Sequence, residues 1–424
     1  MPATAAHRHW TPLVALEAAT LLSAAGNGVA LVTFPWIVLE LTGSAAGVGL
    51  VAAAAALPLA LSAFVSGTIV DRFGRRRTSV VSDVLSGLSV AAVPVVASFD
   101  LLSLPVLALL AATGAVFDPA GATARETMLP EVAAAARLRL ERVNGVHEAV
   151  FGIAYLVGPG LGGLLIALVG ARETLWVTAV AFGISALVLL FVHVPGAGRP
   201  TDHGERESFW RESVEGLRFV WDDPTLRTIT IIFTVLVGAW VPIEGVVLPV
   251  YFEAQDAPER LGVLLMAMSG GGIVGALAYG ASGHRWRRRR VAVGGLVGTS
   301  LAAFGMALLP PYPALVVLGA LTGLFWGPIN PITNLALQER APTRLRGRAV
   351  GILTSLAFAA GPLGFLVVGP LIQLIGLRPT FVTLAFVFIG VALVTPFARS
   401  LRGLDDPPPF GQPGTTGPGS PDEA

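Results

Sequence analysis

Three carboxylates stand inside stretches of chain that are otherwise almost wholly apolar: Asp118, Glu148 and Glu244. Asn27 sits in similar surroundings, between Gly26 and Gly28. Ionisable and strongly polar groups are costly in a lipid-facing segment, so those found there mark solute or proton pathways. A carboxylate that takes a proton from one side of a membrane and releases it on the other is the minimal part of a proton-coupled cycle. The competing reading for each acid is a fixed salt bridge or a helix-end contact. His147, beside Glu148, reads either as an interfacial histidine or as a proton relay. Trp240 and Trp326, with Asn330, fall near the middle of their segments, where indoles can line a cavity and meet flat or cationic ligands. Lipid-facing packing is the alternative for both.

Other chemistries find no residues to carry them. The chain has no Cys, which removes disulfides, thiolate metal sites and cysteine nucleophiles. The run Gly270-Gly271-Gly272-Ile-Val-Gly275 lies inside an apolar stretch and cannot cradle a phosphate. No metal cluster or nucleophile triad is spaced in the sequence, so neither an enzyme nor a cofactor is expected. Any work done on a solute then draws on an ion gradient rather than ATP.

The elements that must hold these residues follow from composition. Hydrophobic residues make up 54% of the chain and charged ones 13%, against about 25% charged in soluble domains. So little charge cannot cover a water-facing surface, and most of the chain must face lipid. Apolar runs divided by Arg clusters or Gly/Pro turns read as membrane helices near 12–40, 45–70, 78–98, 104–131, 143–168, 174–194, 226–252, 260–282, 291–309, 313–338, 348–374 and 379–398. The first run is far too long for a signal peptide. With both ends of the chain in the cytoplasm, only Arg172, Arg260 and Arg378 fall outside, as the positive-inside rule requires. The expected organisation is a tail over 1–11, a six-helix bundle over 12–194, a linker over 195–225, a second bundle over 226–398 and a disordered tail over 399–424. In the linker, Trp210, Val214, Leu217 and Trp221 recur at helical spacing, which reads as an amphipathic helix on the membrane surface.

The two bundles repeat one pattern. Thr113-Gly114-Ala-Val-Phe117-Asp118-Pro119 returns as Thr322-Gly323-Leu-Phe-Trp326-Gly327-Pro328. In each half an Arg-rich loop and then a Gly-Pro-rich helix follow, Gly158-Pro159-Gly160-Leu-Gly162-Gly163 answering Gly361-Pro362-Leu-Gly364. Duplicated bundles of this kind build solute sites between halves that rock against each other. In the first half, proline and glycines allow close helix approach, and Gly270–Gly275 is the expected partner surface.

The loop between the second and third segments reads Gly67-Thr-Ile-Val-Asp71-Arg72-Phe-Gly74-Arg75-Arg76-Arg77. Gly67 permits a close helix contact and Gly74 a tight turn, while Asp71 at a helix C-terminus needs a partner against the dipole. A charge latch on the cytoplasmic face fits these residues. The segment closely resembles motif A of the major facilitator superfamily, and the resemblance extends from about 12 to 400. It implies that Asp71 meets the start of the eleventh helix near Arg348, and that Arg75 meets Glu131 at the inner end of the fourth. The second-half counterpart, Gly280 to Arg290, has no acid. Gly158 to Gly163 is similar to motif C of proton-driven exporters.

Phe34-Pro35-Trp36, Phe117-Asp118-Pro119-Ala120, Ala124-Arg125-Glu126, Met128-Leu129-Pro130-Glu131, Val143-Asn144-Gly145, Pro242-Ile243-Glu244 and Arg346-Gly347-Arg348 resemble the drug:proton antiporter branch, and within it the Tap-type multidrug efflux pumps. The resemblance implies an all-helical membrane protein of twelve spans that exports amphipathic drugs by alternating access in exchange for protons. It further implies a monomer in the plasma membrane with no nucleic-acid partner. The branch commonly has an acid where this chain has Asn27, so the proton would fall to Asp118, Glu148 or Glu244. A proton symporter or facilitator for uptake, or an exporter of siderophores or natural products, are the alternatives.

Overall fold

The computed structural model describes residues 9–191, 209–342 and 345–405, and every regular element among them is helical. The first half holds α1 (Thr11–Thr42), α2 (Ala45–Phe73), α3 (Arg75–Ser98), α4 (Leu104–Thr127), α5 (Leu129–Ala136), α6 (Leu140–Val169) and α7 (Ala171–Phe191). Then come α8 (Phe209–Asp222), α9 (Pro224–Pro242), α10 (Leu248–Glu253), α11 (Pro258–Ser282), α12 (Arg288–Ala307), α13 (Tyr312–Trp326), α14 (Ile329–Arg340), α15 (Arg346–Ile375) and α16 (Leu377–Val394). Among the described residues, 11 helical segments are long and apolar enough to cross a bilayer. A twelfth apolar stretch, Ala359–Ile375, lies within α15. Spans read from the sequence fall on these helices within a few residues at each end.

Local chemistry sets the corners. Ser44 accepts a hydrogen bond from the Gly47 amide at the start of α2, after Gly43 ends α1 in the left-handed region at φ 59°. Gly74 turns the chain from α2 into α3 at φ 85°, a value only glycine adopts without strain, which is the tight turn expected there. Asp223 caps α9, accepting from the amides of Thr225 and Leu226, with Pro224 at the first helical position.

Three spans are broken rather than continuous. α4 passes to α5 at Met128, just before Pro130. α9 gives way after Pro242 to a π-helical turn, Ile243–Val247, before α10 resumes. α13 ends at Trp326 and α14 starts beyond Gly327-Pro328. The repeated motif thus behaves differently in the halves: α4 runs straight through Asp118-Pro119, whereas its counterpart is interrupted.

Lipid is as apolar as a leucine core, so helices associate in a membrane through close backbone approach at small residues. α1 lies against α6 at Gly28 and Gly158, where a Cβ added at either would stand 2.9 Å from the other's Cα. Gly162 faces Val29 of α1, while Gly163 faces Pro258 of α11. Gly270–Gly275 is not the partner of that run. Gly271 and Gly275 pack on the backbone of Ala320 and Leu324 in α13, because their face of α11 points into the second half. Gly67 also departs from expectation, since an added Cβ there meets no atom within 4 Å.

The halves meet along two helix pairs, α2 with α15 and α6 with α11. Their tight contacts lie at the end remote from the Arg clusters. A Cβ at Gly369 would fall 2.6 Å from the Ala45 carbonyl oxygen, and one at Gly262 would fall 2.8 Å from that of Pro159. That end of the molecule is closed by backbone packing.

The chain after α16 does not end in disorder at 399. Arg399–Leu404 form a helical turn whose Leu401 and Leu404 are buried against Ala292, Ile332 and Ala336. Arg340 donates to the Gly403 carbonyl and Thr225 to that of Ser400, fastening the turn to the second half. The remainder of the expected tail, 406–424, lies outside the described residues, as do 1–8 and 192–208 of the expected N-terminal tail and linker. In α8, Val220 is buried with Leu226 and Leu337, while Leu217 and Trp221 are exposed. Helical spacing thus gives α8 one protein-facing and one outward apolar edge. The side chains of Trp210 and Val214 fall outside the described residues.

Candidate functional site

The first half of α1 carries a polar stripe: Glu17, Thr20, Ser23 and Asn27, spaced three to four residues apart. Thr20 donates to the Leu16 carbonyl of α1 itself, while Glu17, Ser23 and Asn27 meet partners on other helices of the first half, in rungs along the bundle.

The uppermost rung is Asn27 with Asp118. The Asn27 amide donates to Asp118 Oδ1 at 2.7 Å, joining α1 to the middle of α4. Tyr155 of α6 lies within electrostatic reach of both Asp118 and Glu244. Glu244 comes from the second half, in the π-helical turn after Pro242, with the Trp240 indole as its side-chain hydrogen-bonding partner. A π turn shifts the facing of the residues it contains and recurs at functional positions. The ring of Trp240 is braced edge-on by Phe388 of α16, centroids 5.8 Å apart. One phenol of the first half thus feels the charge of a carboxylate from each half. Tyr155 does not stand out in the sequence, although Phe151 and Tyr155 are four residues apart and stack at 6.3 Å.

The second rung is a buried ion pair that sequence reasoning missed. Arg125 of α4 donates through one nitrogen to both carboxylate oxygens of Asp83, at 3.1 Å each. Ser23 of α1 accepts from Arg125 at 3.0 Å and donates to Asp83 at 3.1 Å. Ser185 of α7 donates to Asp83 at 2.6 Å, and Ser79 accepts from Arg125 at 3.3 Å. Arg125 and Asp83 are each only 3% exposed. By sequence Arg125 sorts with the loop arginines, because it lies a few residues before the end of its span; the structure turns it inward. The available signal was the Ser-rich face of α3, Ser79, Ser82, Asp83, Ser86 and Ser89, all buried.

The third rung is Glu17 with His147. The His147 ring Nδ1 lies 3.1 Å from Glu17 Oε2, and both side chains are buried. His147 is thus a core residue of the first half, and Phe151 meets its ring at 5.5 Å. Glu148, its expected companion in the pathway, is exposed on another face of α6, near Glu126.

Trp326 stacks on Phe233 at 5.7 Å and lines a small apolar cavity with Ile229, Leu296 and Leu404. That cavity lies inside the second half rather than between the halves. Asn330 is exposed.

At the Arg-rich end, Arg75 of α3 donates to Glu131 of α5, the pairing the motif resemblance implied. Asp71 is half-buried and Arg72 exposed at the end of α2, and the Arg72 guanidinium lies over the Phe73 ring at 5.8 Å. The implied contact of Asp71 near Arg348 falls on side chains outside the described residues. The second-half loop has no acid of its own, yet Arg288 binds Glu339 of α14 through both nitrogens. Each half therefore ends in an Arg–Glu clamp between its third and fourth spans. Arg340 adds a third pair, its Nε donating to Asp223 at 2.8 Å.

A sequence model of the Major Facilitator Superfamily matches residues 16–278 and 245–421. The chain is 46% identical over 397 residues to the multidrug efflux pump Tap of Mycolicibacterium fortuitum, covering 93% of this chain and 97% of that protein. It is 47% identical over 390 residues to the Tap pump of Mycobacterium tuberculosis (strain ATCC 25618 / H37Rv), covering 91% and 93%. The crystal structure of the nucleoside transporter NupG superposes with a TM-score of 0.73 over 91% of this chain and 98% of that one, at 13% identity, a likeness of fold alone. Helix order, the duplicated pattern, the Arg75–Glu131 clamp and these matches lead to one statement: the chain belongs to the major facilitator superfamily.

Proposed function

We propose that this protein is a proton-coupled multidrug exporter working by alternating access. The observation that carries the reading is that Asp118 and Glu244, acids of opposite halves, both lie within electrostatic reach of Tyr155. A carboxylate on each half can change its proton occupancy as the halves rock, which ties solute release to proton movement. Similarity to the Tap pumps over nearly their whole length supports export of drugs. Trp240 beside Glu244 and the Phe151–Tyr155 stack supply aromatic surface of the kind that suits amphipathic solutes of varied shape.

In this reading the Arg-rich end faces the cytoplasm of a plasma-membrane protein that functions as a monomer, its two bundles spanning 12–194 and 226–398. Gly67, Asp71, Arg72, Gly74, Arg75 and Glu131 form the inner gate. Asn27, Asp118 and Glu244 form the central site, and Gly158, Pro159, Gly162 and Gly163 the packing seam. One proton moving down 100 mV supplies about 2.3 kcal/mol, sufficient for a concentration ratio in the tens. The uptake reading would need convergent hydrogen-bonding groups or a free basic residue at the centre. Arg125 is basic and buried, but Asp83 already occupies it.

The test is a drug-susceptibility panel in an efflux-deficient host, with wild type beside Asp71→Asn and Glu244→Gln. Wild type raises resistance to several unrelated drugs and both variants lose it. Extrusion from loaded vesicles that persists after collapse of the proton gradient would reject proton coupling.

A further inference from the structure

We infer that Arg125 is a positioning residue for proton coupling, shared between Asp83, which holds it in this conformation, and Asp118, which draws on it when its carboxyl loses a proton. The inference rests on Asp118 being a proton carrier in the reading above. It gives Arg125 and Asp83 a role that the motif resemblance did not assign.

Geometry places the three groups in one column. Asp118 and Arg125 are seven residues apart on α4, two turns on the same face, about 10 Å along the axis. Ser23 and Asn27 are four apart on α1 and match them rung for rung, Ser23 to Arg125 and Asn27 to Asp118. Asp118 lies within electrostatic reach of both Arg125 and Asp83. Two acids thus face one buried cation. The guanidinium is not fully engaged, because its Nε is buried without a hydrogen-bond partner. A free donor on a buried guanidinium costs energy in this conformation and leaves a hydrogen bond available to a second acceptor.

The surroundings contain little else that could compensate charge. α1 presents Asn27 and Ser23, α3 presents Ser79 and Asp83, and α7 presents Ser185. Among the described contacts α2 meets α4 through hydroxyls: Ser62 donates to the Val116 carbonyl and Ser66 accepts from Thr123. α6 contributes Tyr155, and Glu126 follows Arg125 in sequence on an exposed position. When Asp118 gives its proton to water on the Arg-rich side, the new carboxylate has one neutral partner, Asn27, and one cation within reach, Arg125. Movement of the guanidinium toward Asp118 leaves Asp83 to the hydroxyls of Ser23 and Ser185. The exchange re-sorts contacts among α1, α3, α4 and α7, which is how a proton on one side chain alters the packing of a half.

A purely structural staple makes a different prediction, and the two are separated in proteoliposomes with tetracycline as the probe. Two activities are compared: accumulation driven by a pH gradient, and tetracycline counterflow without one. Arg125→Gln and Asp83→Asn are expected to keep counterflow within about twofold while losing gradient-driven accumulation about tenfold or more, an effect of the size of a lost charge contact. Arg125→Lys keeps the cation and retains most coupling. The double variant Asp83→Asn/Arg125→Gln carries no unpaired buried charge, so it folds even where a single variant does not, and it is expected to be uncoupled. Equal loss of both activities in well-folded variants, or full coupling in the double variant, overturns the inference. Wild-type counterflow indifferent to a pH gradient would instead defeat the proton reading itself, leaving the variants' pattern to be read separately.

Discussion

Gly28 of α1 and Gly158 of α6 meet backbone to backbone, closely enough that a methyl group on either would stand 2.9 Å from the other's Cα. Gly162 repeats the contact one turn on, against Val29. The two helices that carry Asn27, Glu17, His147 and Tyr155 are therefore held at a spacing only glycine allows, and that spacing lets the polar rungs close.

Gly158→Val should separate α1 from α6. Overpacking a close contact costs roughly 1–3 kcal/mol, and here backbone rather than a movable side chain is in the way. We expect a clear drop in the thermal unfolding midpoint in detergent, with Gly145→Val, whose added Cβ meets nothing within 4 Å, close to wild type.

Backbone packing at the Arg-poor end should respond to a single added side chain. Gly163 faces the Pro258 carbonyl across the α6–α11 contact, and Ala45 is buried in the separate α2–α15 contact. The chain has no native cysteine, so Ala45→Cys is a clean reporter. Adding Gly163→Val should raise its rate of modification by an impermeant maleimide about fivefold or more, as a shift of the closed population by about 1 kcal/mol would give. An unchanged rate would show that the two contacts do not open together.

The Arg75–Glu131 pair is partly exposed, its side chains 22% and 24% accessible. Such pairs are worth about 1 kcal/mol or less, so Glu131→Gln should leave stability nearly unaltered while lowering drug resistance. The reversed pair Arg75→Glu/Glu131→Arg should recover part of that resistance. Resistance as low in the reversed pair as in either single variant would mean that the position, rather than the pairing, matters.

Asn27→Leu removes the 2.7 Å hydrogen bond to Asp118 while filling the same space. Leaving a fully buried acceptor without its donor costs about 1–3 kcal/mol, and this part-buried one falls toward the lower end. The expected outcome is a lower unfolding midpoint together with weakened pH-gradient-driven drug accumulation, whereas Asn27→Gln should retain part of both.

Much of the frame was legible in one dimension because lipid imposes simple rules on a chain. Long apolar runs, Arg clusters and the repeat from Thr113 to Thr322 mark the spans and the duplication, since a backbone in lipid must satisfy its own hydrogen bonds. The Arg75–Glu131 contact was legible too, through motif resemblance. Helix facing was less so. Gly270–Gly275 looked like the partner of Gly158–Gly163, but small residues permit close approach in any direction, and nothing in the run says which neighbour stands there.

What the sequence determined by itself was the membrane-helical class and the two-bundle frame, because these depend on hydropathy and spacing along the chain; the family came from the resemblance of its motifs. The tertiary structure decided which polar groups meet. It turned Arg125 inward onto Asp83, put His147 rather than Glu148 in the core, and set Glu244 in a π turn within electrostatic reach of Tyr155. Those outcomes depend on helix rotation and on contacts between residues 42 to 130 positions apart. A period of 3.6 residues fixes which side chains share a face, while only packing against neighbouring helices fixes where that face points.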